Sequence, residues 1–342
     1  MTLGQRAGSA KGKGLKRTGS RLLPVFLVFT FFLTFLVNLS LGTVNFTPAK
    51  IVRSLVEGGA DSYLIWSIRF PRVVMATLTG MALGLVGNVF QSIMKNPLVD
   101  PYLIGTSAGA SFGALLGIYF IVNSIAFVSI PLMSFIFSIV ASMLTILIAR
   151  KGTIIPVVHL VLSGVLVSTL FSAGSMLLLN IANRTLVGGH IWLYGTFSGM
   201  TMRDIPLPLA SLVTLFISAL ALSRQLDAMS LGEREAKGLG VNTEFIKWYF
   251  YLLGSFTTAT FVSKTGIIGF VGLVVPHMAR MIVGPKHFRN VWATILIGGT
   301  LLPVCDTIAR TVLNPVEIPV GIITAFIGAP FMFVLLKVKN GS

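Results

Sequence analysis

Acidic residues are scarce in this chain: 10 Asp and Glu stand against 26 Lys and Arg in 342 residues. Charged residues of both signs make up only 11% of the sequence, against 54% hydrophobic, and mean hydropathy is +0.90. A soluble globular domain carries about 25% charged residues. That deficit excludes a water-soluble core of this size and makes lipid the solvent. Backbone groups in lipid must pair internally, which leaves helices or closed barrels. Long apolar runs without strict alternation select helices. Cysteine is nearly absent. Cys305 is alone, which excludes an intrachain disulfide and marks a small packed side chain. No G-x-x-x-x-G-K-[ST] segment occurs, so the chain carries no P-loop. The histidines, His159, His190, His277 and His287, lack metal-ligand spacing. No catalytic residue, metal or cofactor is expected.

The net charge of +16 raises nucleic acid as a partner, but its distribution argues against it. Arg6, Lys11, Lys13, Lys16, Arg17 and Arg21 crowd the first 21 residues without an acid, and an apolar run from Leu22 to Leu41 follows at once. Residues 1–21 therefore read as a basic cytoplasmic tail and 22–342 as a single transmembrane domain. Ten helical spans are expected near 22–42, 72–93, 100–122, 126–149, 155–180, 206–223, 246–263, 267–283, 291–309 and 318–336. With this layout 18 of the 26 basic residues fall on the side of the N-terminus. Lys/Arg bias then places both termini in the cytoplasm of a multi-pass protein of the cytoplasmic (inner) membrane.

Ion-coupled carriers place ionisable groups within the membrane. Here only Asp306 lies in an apolar run, four residues before Arg310, a spacing that permits local neutralisation. This weighs against an ion-coupled secondary transporter. Gly105-Thr106-Ser107-Ala108-Gly109 matches the nucleophile-elbow pattern of hydrolases, yet it opens an apolar helix of small residues, where close helix packing is the better reading. His277 follows Pro276 and is expected to cap or satisfy a kink. Asn88 and Gln91 either face other helices or line a hydrated path.

Two polar segments stand out. Arg69-Phe70-Pro71-Arg72 lies at the expected outer mouth of the second span, with Pro71 placed to begin the helix. Its guanidinium groups suit lipid phosphates or the carboxylates of a docking protein. The cytoplasmic segment 224–245 contains a polar stretch, Ser230 to Leu239, expected to form one short helix. Ser230 serves as N-cap, Glu233 follows three residues later, and Gly240 closes it. A solvated connector and a surface for a motor are both open readings. A second long loop, 181–205, is expected outside.

Six segments are IRFPRVVMATLTGMALGLVGNVFQSIMKNPLVDPYLIGTSAGA (68–110), GHIWLYGTFSG (189–199), SLGEREAKGLGVN (230–242), GIIGFVGLVVPHMAR (266–280), DTIAR (306–310) and PVEIPVGIITAFIGAPFMFVLL (315–336). In sequence, order and spacing they resemble one family, the permeases of type II ABC importers for iron-siderophores, haem and vitamin B12. The resemblance implies an all-α membrane fold like that of the vitamin B12 importer permease, with about ten transmembrane helices. It implies a second permease subunit, identical or homologous, separate ATP-hydrolysing subunits, and an extracytoplasmic substrate-binding protein. A ferric siderophore is the expected cargo, with vitamin B12 or haem as alternatives. Ser230, Leu231, Gly232, Glu233, Glu235, Ala236, Gly238, Leu239 and Gly240 match the segment that couples to the ATPase. Arg69, Arg72 and Arg310 match the positions that receive acidic side chains of the binding protein. The cytoplasmic gate falls at Pro156, Val157 and Val158, where relatives can carry small polar residues. Lys264 stands where relatives often have a small residue.

Overall fold

The computed structural model describes residues 23–42, 44–125, 128–181 and 193–340. The expected basic tail and residues 182–192 of the long outer loop lie outside the described residues. Those described are helical throughout, without strands. The helices are α1 (Leu23–Ser40), α2 (Pro48–Glu57), α3 (Gly59–Ile93), α4 (Thr106–Val122), α5 (Ile130–Ala149), α6 (Val157–Ile181), α7 (Pro206–Ala221), α8 (Ser223–Leu231), α9 (Glu233–Gly238), α10 (Thr243–Thr265), α11 (Val271–Val283), α12 (His287–Thr311) and α13 (Val320–Asn340). Each expected span overlaps one of α1, α3–α7 and α10–α13. Six described helical stretches are long and apolar enough to cross a membrane: α1, α3, α5, α6, α12, and α7 with the turn before it.

Three elements differ from expectation. α3 begins at Gly59 rather than near residue 72, so Pro71 sits inside a helix. A proline ring there would clash with the carbonyl four residues back. The helix widens over Leu64–Arg69, where the Phe70 N–H reaches back five residues to Ile65 O, and thereby makes room. α4 begins later than expected, because Pro101–Ile104 form a tighter turn capped by the Asp100 side chain on Tyr102 N at 2.9 Å. The segment 230–239 is not one helix. Gly232 breaks it at φ 144°, a conformation open to glycine, and a Cβ there would lie 2.1 Å from Glu235 Oε2. Ser230 is not the N-cap; its hydroxyl donates to Asp227 O at 2.6 Å.

α3 is the hub. Of its most apolar stretch 83% is buried inside the protein, against 11% for α1. It packs antiparallel to α12, and small residues let the two backbones meet. A Cβ on Gly80 would lie 2.0 Å from Gly298 O, and one on Gly298 would lie 2.3 Å from Gly80 O. Beside them Gly84 faces Thr294, and Gly87 faces Gly272 O of α11, which a Cβ would approach to 2.0 Å. The nucleophile-elbow lookalike belongs to a similar seam. On α4, Cβ atoms at Gly109 and Gly113 would fall 2.2 Å from Phe137 O and 2.3 Å from Met133 O of α5. Glycine here substitutes contact area for side-chain volume, as membrane helix pairs require.

Gly298→Ala is expected to destabilise the protein by about 1–3 kcal/mol through overpacking, read as a lowered melting temperature in detergent. Gly238→Ala, where a Cβ meets nothing within 4 Å, should change stability by less than about 1 kcal/mol.

Candidate functional site

Polar groups collect at the two ends of the α3–α12 pair. Twenty helical residues separate Arg72 from Ser92, a rise of about 30 Å, so the ends sit a bilayer core apart.

At the first end the three singled-out arginines come together. Arg72 grips Asp306 through two hydrogen bonds of 2.9 Å, Nε to Oδ2 and Nη2 to Oδ1. Its Nη1 donates to Glu317 at 2.9 and 3.0 Å. Asp306 is 3% exposed and Glu317 37%, so Arg72 links an inner carboxylate to an outer one. Arg310, four residues along α12, lies 3.8 Å from Asp306 Oδ2. Asp306 is therefore neutralised chiefly across helices, by Arg72. Arg310 donates to Asn38 O and to Thr307 Oγ1, the latter at 3.0 Å. Arg69 donates to the carbonyls of Leu39 (3.3 Å), Ser40 (3.2 Å) and Val44, with its guanidinium 4.7 Å over the Phe46 ring. Arg69 and Arg310 are thus buried and committed to the last turn of α1, with Arg69 also holding Val44 in the loop after it, while Arg72 reaches the surface through Glu317.

At the opposite end lie α8, α9 and the starts of α6, α10 and α12. Gly232 starts α9, and Gly240, at φ 80°, ends the segment. Ala236 is fully buried and pins α9 to the body, while Leu231 (58%) and Leu239 (66%) are exposed. A cleft of about 440 Å³ opens beside them, lined among others by Arg224, Gln225, Asn242 and Phe245. Lys237 bridges Glu233 at 2.8 Å. Partial burial would raise the Glu233 carboxyl, but the Lys237 hydrogen bond and the Lys247 charge outweigh it and hold it below its ordinary value. Pro156 and Val157 are half-buried, and Val158 is exposed.

Sequence reasoning passed over the buried groups behind these residues. Lys247, fully buried, lies 2.7 Å from Glu244 Oε1 and 3.3 Å from Glu233 Oε2, and donates to Ile155 O at 3.0 Å. The Glu244-x-x-Lys247 spacing at a helix start was the available signal. His287 joins Asp227 of α8 (Nδ1–Oδ1 2.7 Å) to Ser92 of α3 (Nε2–Oγ 2.5 Å). This has the order of a hydrolase triad, but Ser92 is buried within a helix and its hydroxyl also donates to Asn88 O at 2.8 Å. Asn88 and Gln91 face other helices. Asn88 donates to Asn290 and to Thr294 (3.0 Å), Gln91 to Val99 O (3.2 Å) and Gly272 O (3.1 Å). The His277 ring packs 6.1 Å from that of Phe331. Lys264, unexplained by sequence, pairs with Asp204 at 2.7 Å and ties the end of α10 to the turn before α7.

Residues 29–338 match the FecCD transport family, and the chain belongs to it. It is a permease subunit of a type II ABC importer and a multi-pass protein of the cytoplasmic membrane. It is 36% identical to the cobalamin import system permease of Halobacterium salinarum, over 80% of this chain and 73% of that one. It is 33% identical to the Fe(3+)-citrate import system permease of Bacillus subtilis, over 88% and 90%. A solved structure described as a metal-chelate type ABC transporter, inward-facing, superposes with a TM-score of 0.81 at 31% identity, covering 92% of this chain and 98% of that one.

Two measurements probe the site. Asp306→Asn leaves Arg72 and Arg310 with less compensation in a buried position and should cost about 3 kcal/mol, whereas Glu317→Gln at the surface should cost less than about 1 kcal/mol. Equal losses in thermal unfolding would contradict this order. Because the Glu233 carboxyl is held below its ordinary value, its contribution is complete above the ordinary carboxylate range and is lost as pH falls through the lowered value. Amide exchange in α9 should therefore show no loss of protection between about pH 8 and 6, and loosening only below about pH 4.

Proposed function

We propose that this permease forms half of the pathway of an ATP-driven importer for a ferric siderophore. Ten crossings, α1, α3–α7 and α10–α13, put both termini and the basic tail of residues 1–21 in the cytoplasm, and residues 22–342 form one transmembrane domain. A second permease subunit, identical or homologous, completes the path. An extracytoplasmic binding protein delivers the chelate, and separate ATP-hydrolysing subunits drive it.

The observation that carries this reading is the family match along residues 29–338, which spans both polar ends of the bundle. The Fe(3+)-citrate relative and the metal-chelate type neighbour favour an iron chelate. The cobalamin relative favours vitamin B12 as the second reading.

The ATPase contact is Ser230–Gly240. Charged residues of both signs and two exposed leucines, Leu231 and Leu239, suit a protein partner there better than bulk water. The gate is assigned to Pro156, Val157 and Val158, at the entry to α6. At the outer rim, docking falls to Arg72, whose guanidinium exchanges Glu317 for a carboxylate of the binding protein. Arg69 and Arg310 hold the rim in shape beneath it.

Proteoliposomes containing this permease, its ATPase and its binding protein test the reading with a ferric hydroxamate and cyanocobalamin in parallel. ATP-dependent uptake of the ferric chelate is expected. Uptake of cyanocobalamin alone selects the second reading, and accumulation driven by a proton or sodium gradient without ATPase overturns both. For docking, Arg72→Gln should slow association at low salt about tenfold and converge with wild type at high salt. Glu317→Gln, which removes the internal competitor, should strengthen it. Unchanged association in both variants removes Arg72 from the contact.

A further inference from the structure

The ATPase-contacting segment is poorly built to push on anything through its own backbone. α9 has only six residues, and glycines in unusual conformations flank it: Gly232 at φ 144° and Gly240 at φ 80°. Glycine leaves the backbone more than one conformation at each joint, so a displacement of α9 passed along the chain alone would be shared with torsions at either side. A side-chain route bypasses both joints. Glu233, the first residue of α9, meets Lys247 of α10 at 3.3 Å through one carboxylate oxygen and Lys237 at 2.8 Å through the other. Lys247 is fully buried, and its ammonium also lies 2.7 Å from Glu244 Oε1.

The same ammonium donates to Ile155 O at 3.0 Å, and Glu244 Oε2 accepts from Ile155 N at 3.1 Å. Both backbone groups of one residue are thus held by side chains near the start of α10. That residue immediately precedes Pro156, Val157 and Val158. Pro156 has no N–H of its own, and its carbonyl receives Leu160 N at 3.0 Å as the first turn of α6 forms. The position of Ile155 therefore fixes where α6 begins. The ammonium at the centre of the cluster is fully buried, so no water competes for its contacts from the inner side, while the Glu233 carboxylate stays open to solvent and to a partner.

We infer that Lys247 is the mechanical tie through which α9 moves the entry of α6, with Glu233 as the input and the Ile155 backbone as the output. Lys247 touches neither nucleotide nor cargo; it is a positioning residue. The inference deepens the proposed reading and rests on α9 being the ATPase contact and 156–158 the gate. The chemistry explains why an amine belongs here. One cationic centre meets two carboxylates and a carbonyl at once, which a neutral side chain of that length cannot do.

The experiment uses the assembled importer in proteoliposomes and needs no cargo. With the lone native thiol removed by Cys305→Ala, Val158→Cys reports gate exposure through its labelling rate by a membrane-impermeant maleimide. The rate is compared between nucleotide-free and vanadate-trapped states. A separate Leu239→Cys variant is cross-linked to the ATPase, which tests the α9 assignment by itself.

In the parent the labelling rate should differ between the two states by at least about tenfold. Lys247→Met keeps the length of the stem and should retain ATP hydrolysis within about twofold while the labelling difference disappears. Glu233→Gln, at the half-exposed end of the cluster, should reduce the difference and keeps the test open if Lys247→Met does not assemble. Lys264→Met, which removes the ion pair with Asp204 at the far end of α10, should leave it unchanged. A parental labelling difference in Lys247→Met, or in Glu233→Gln where Lys247→Met is lost, overturns the tie while leaving the importer reading intact. Failure of Leu239→Cys to cross-link overturns the α9 assignment and the tie with it.

Discussion

The close approach of α3 to α12 is the contact on which the rest of the structure depends. The two helices run antiparallel in a regular register: Arg72 opposite Asp306, Gly80 opposite Gly298, Gly84 opposite Thr294, Asn88 opposite Asn290, and Ser92 opposite His287. The α3 partners recur at intervals of four or eight residues, so they follow a single i, i+4 ridge along the helix. Lipid tails are as apolar as leucine and give helices no hydrophobic reason to associate. Backbone proximity at the glycines and polar contacts on either side supply the association instead. A Cβ at the centre would force the helices apart and stretch every polar contact above and below it.

This spine joins two chemically different ends. At one, an arginine cluster holds a buried aspartate and the last turn of α1, and Glu317 carries that network to the surface. At the other, acids and bases from α8, α9, α10 and α12 tie short helices to long ones. Asp227 and His287 connect α8 to α3, while Lys247 connects α9 to the start of α6. At this second end α9 is short and flanked by glycines, and the Lys247 ammonium that holds it is fully buried.

Much of this was legible in the residues. Scarce charge and long apolar runs dictate membrane helices. The small residues of the Gly105–Gly109 segment predict close packing, and Gly109 provides it in α4 against Phe137 O, where a nucleophile elbow was the rival reading. Segment 230–240 is polar, and the structure places it at one end of the bundle. Its division at Gly232 was not legible. A cap formed by Ser230 and a break at Gly232 fit the same letters; the fold takes the break, at φ 144°, and the Glu235 carboxylate and Lys95 ammonium occupy the space that a side chain at 232 would need. Pro71 likewise marks a helix start by local rule, yet a widened turn lets α3 run on through it.

The arginines make the boundary clearest. The sequence places Arg69 and Arg72 at an outer mouth and Arg310 beside Asp306, and the family resemblance groups all three as receivers of a partner's acids. Which of them is spent internally depends on groups far away in the chain: Asp306 and Glu317 for Arg72, the carbonyls of residues 39, 40 and 44 for Arg69. The same holds for Lys247, which looked like one more cytoplasmic base until Ile155 and Glu233 were brought to it. Composition and periodicity are local properties, so the sequence by itself determined the solvent, the helices and the family. The partner of each charge is a long-range property, since a buried ion takes whatever oxygen the packing delivers, and only the tertiary structure decided it.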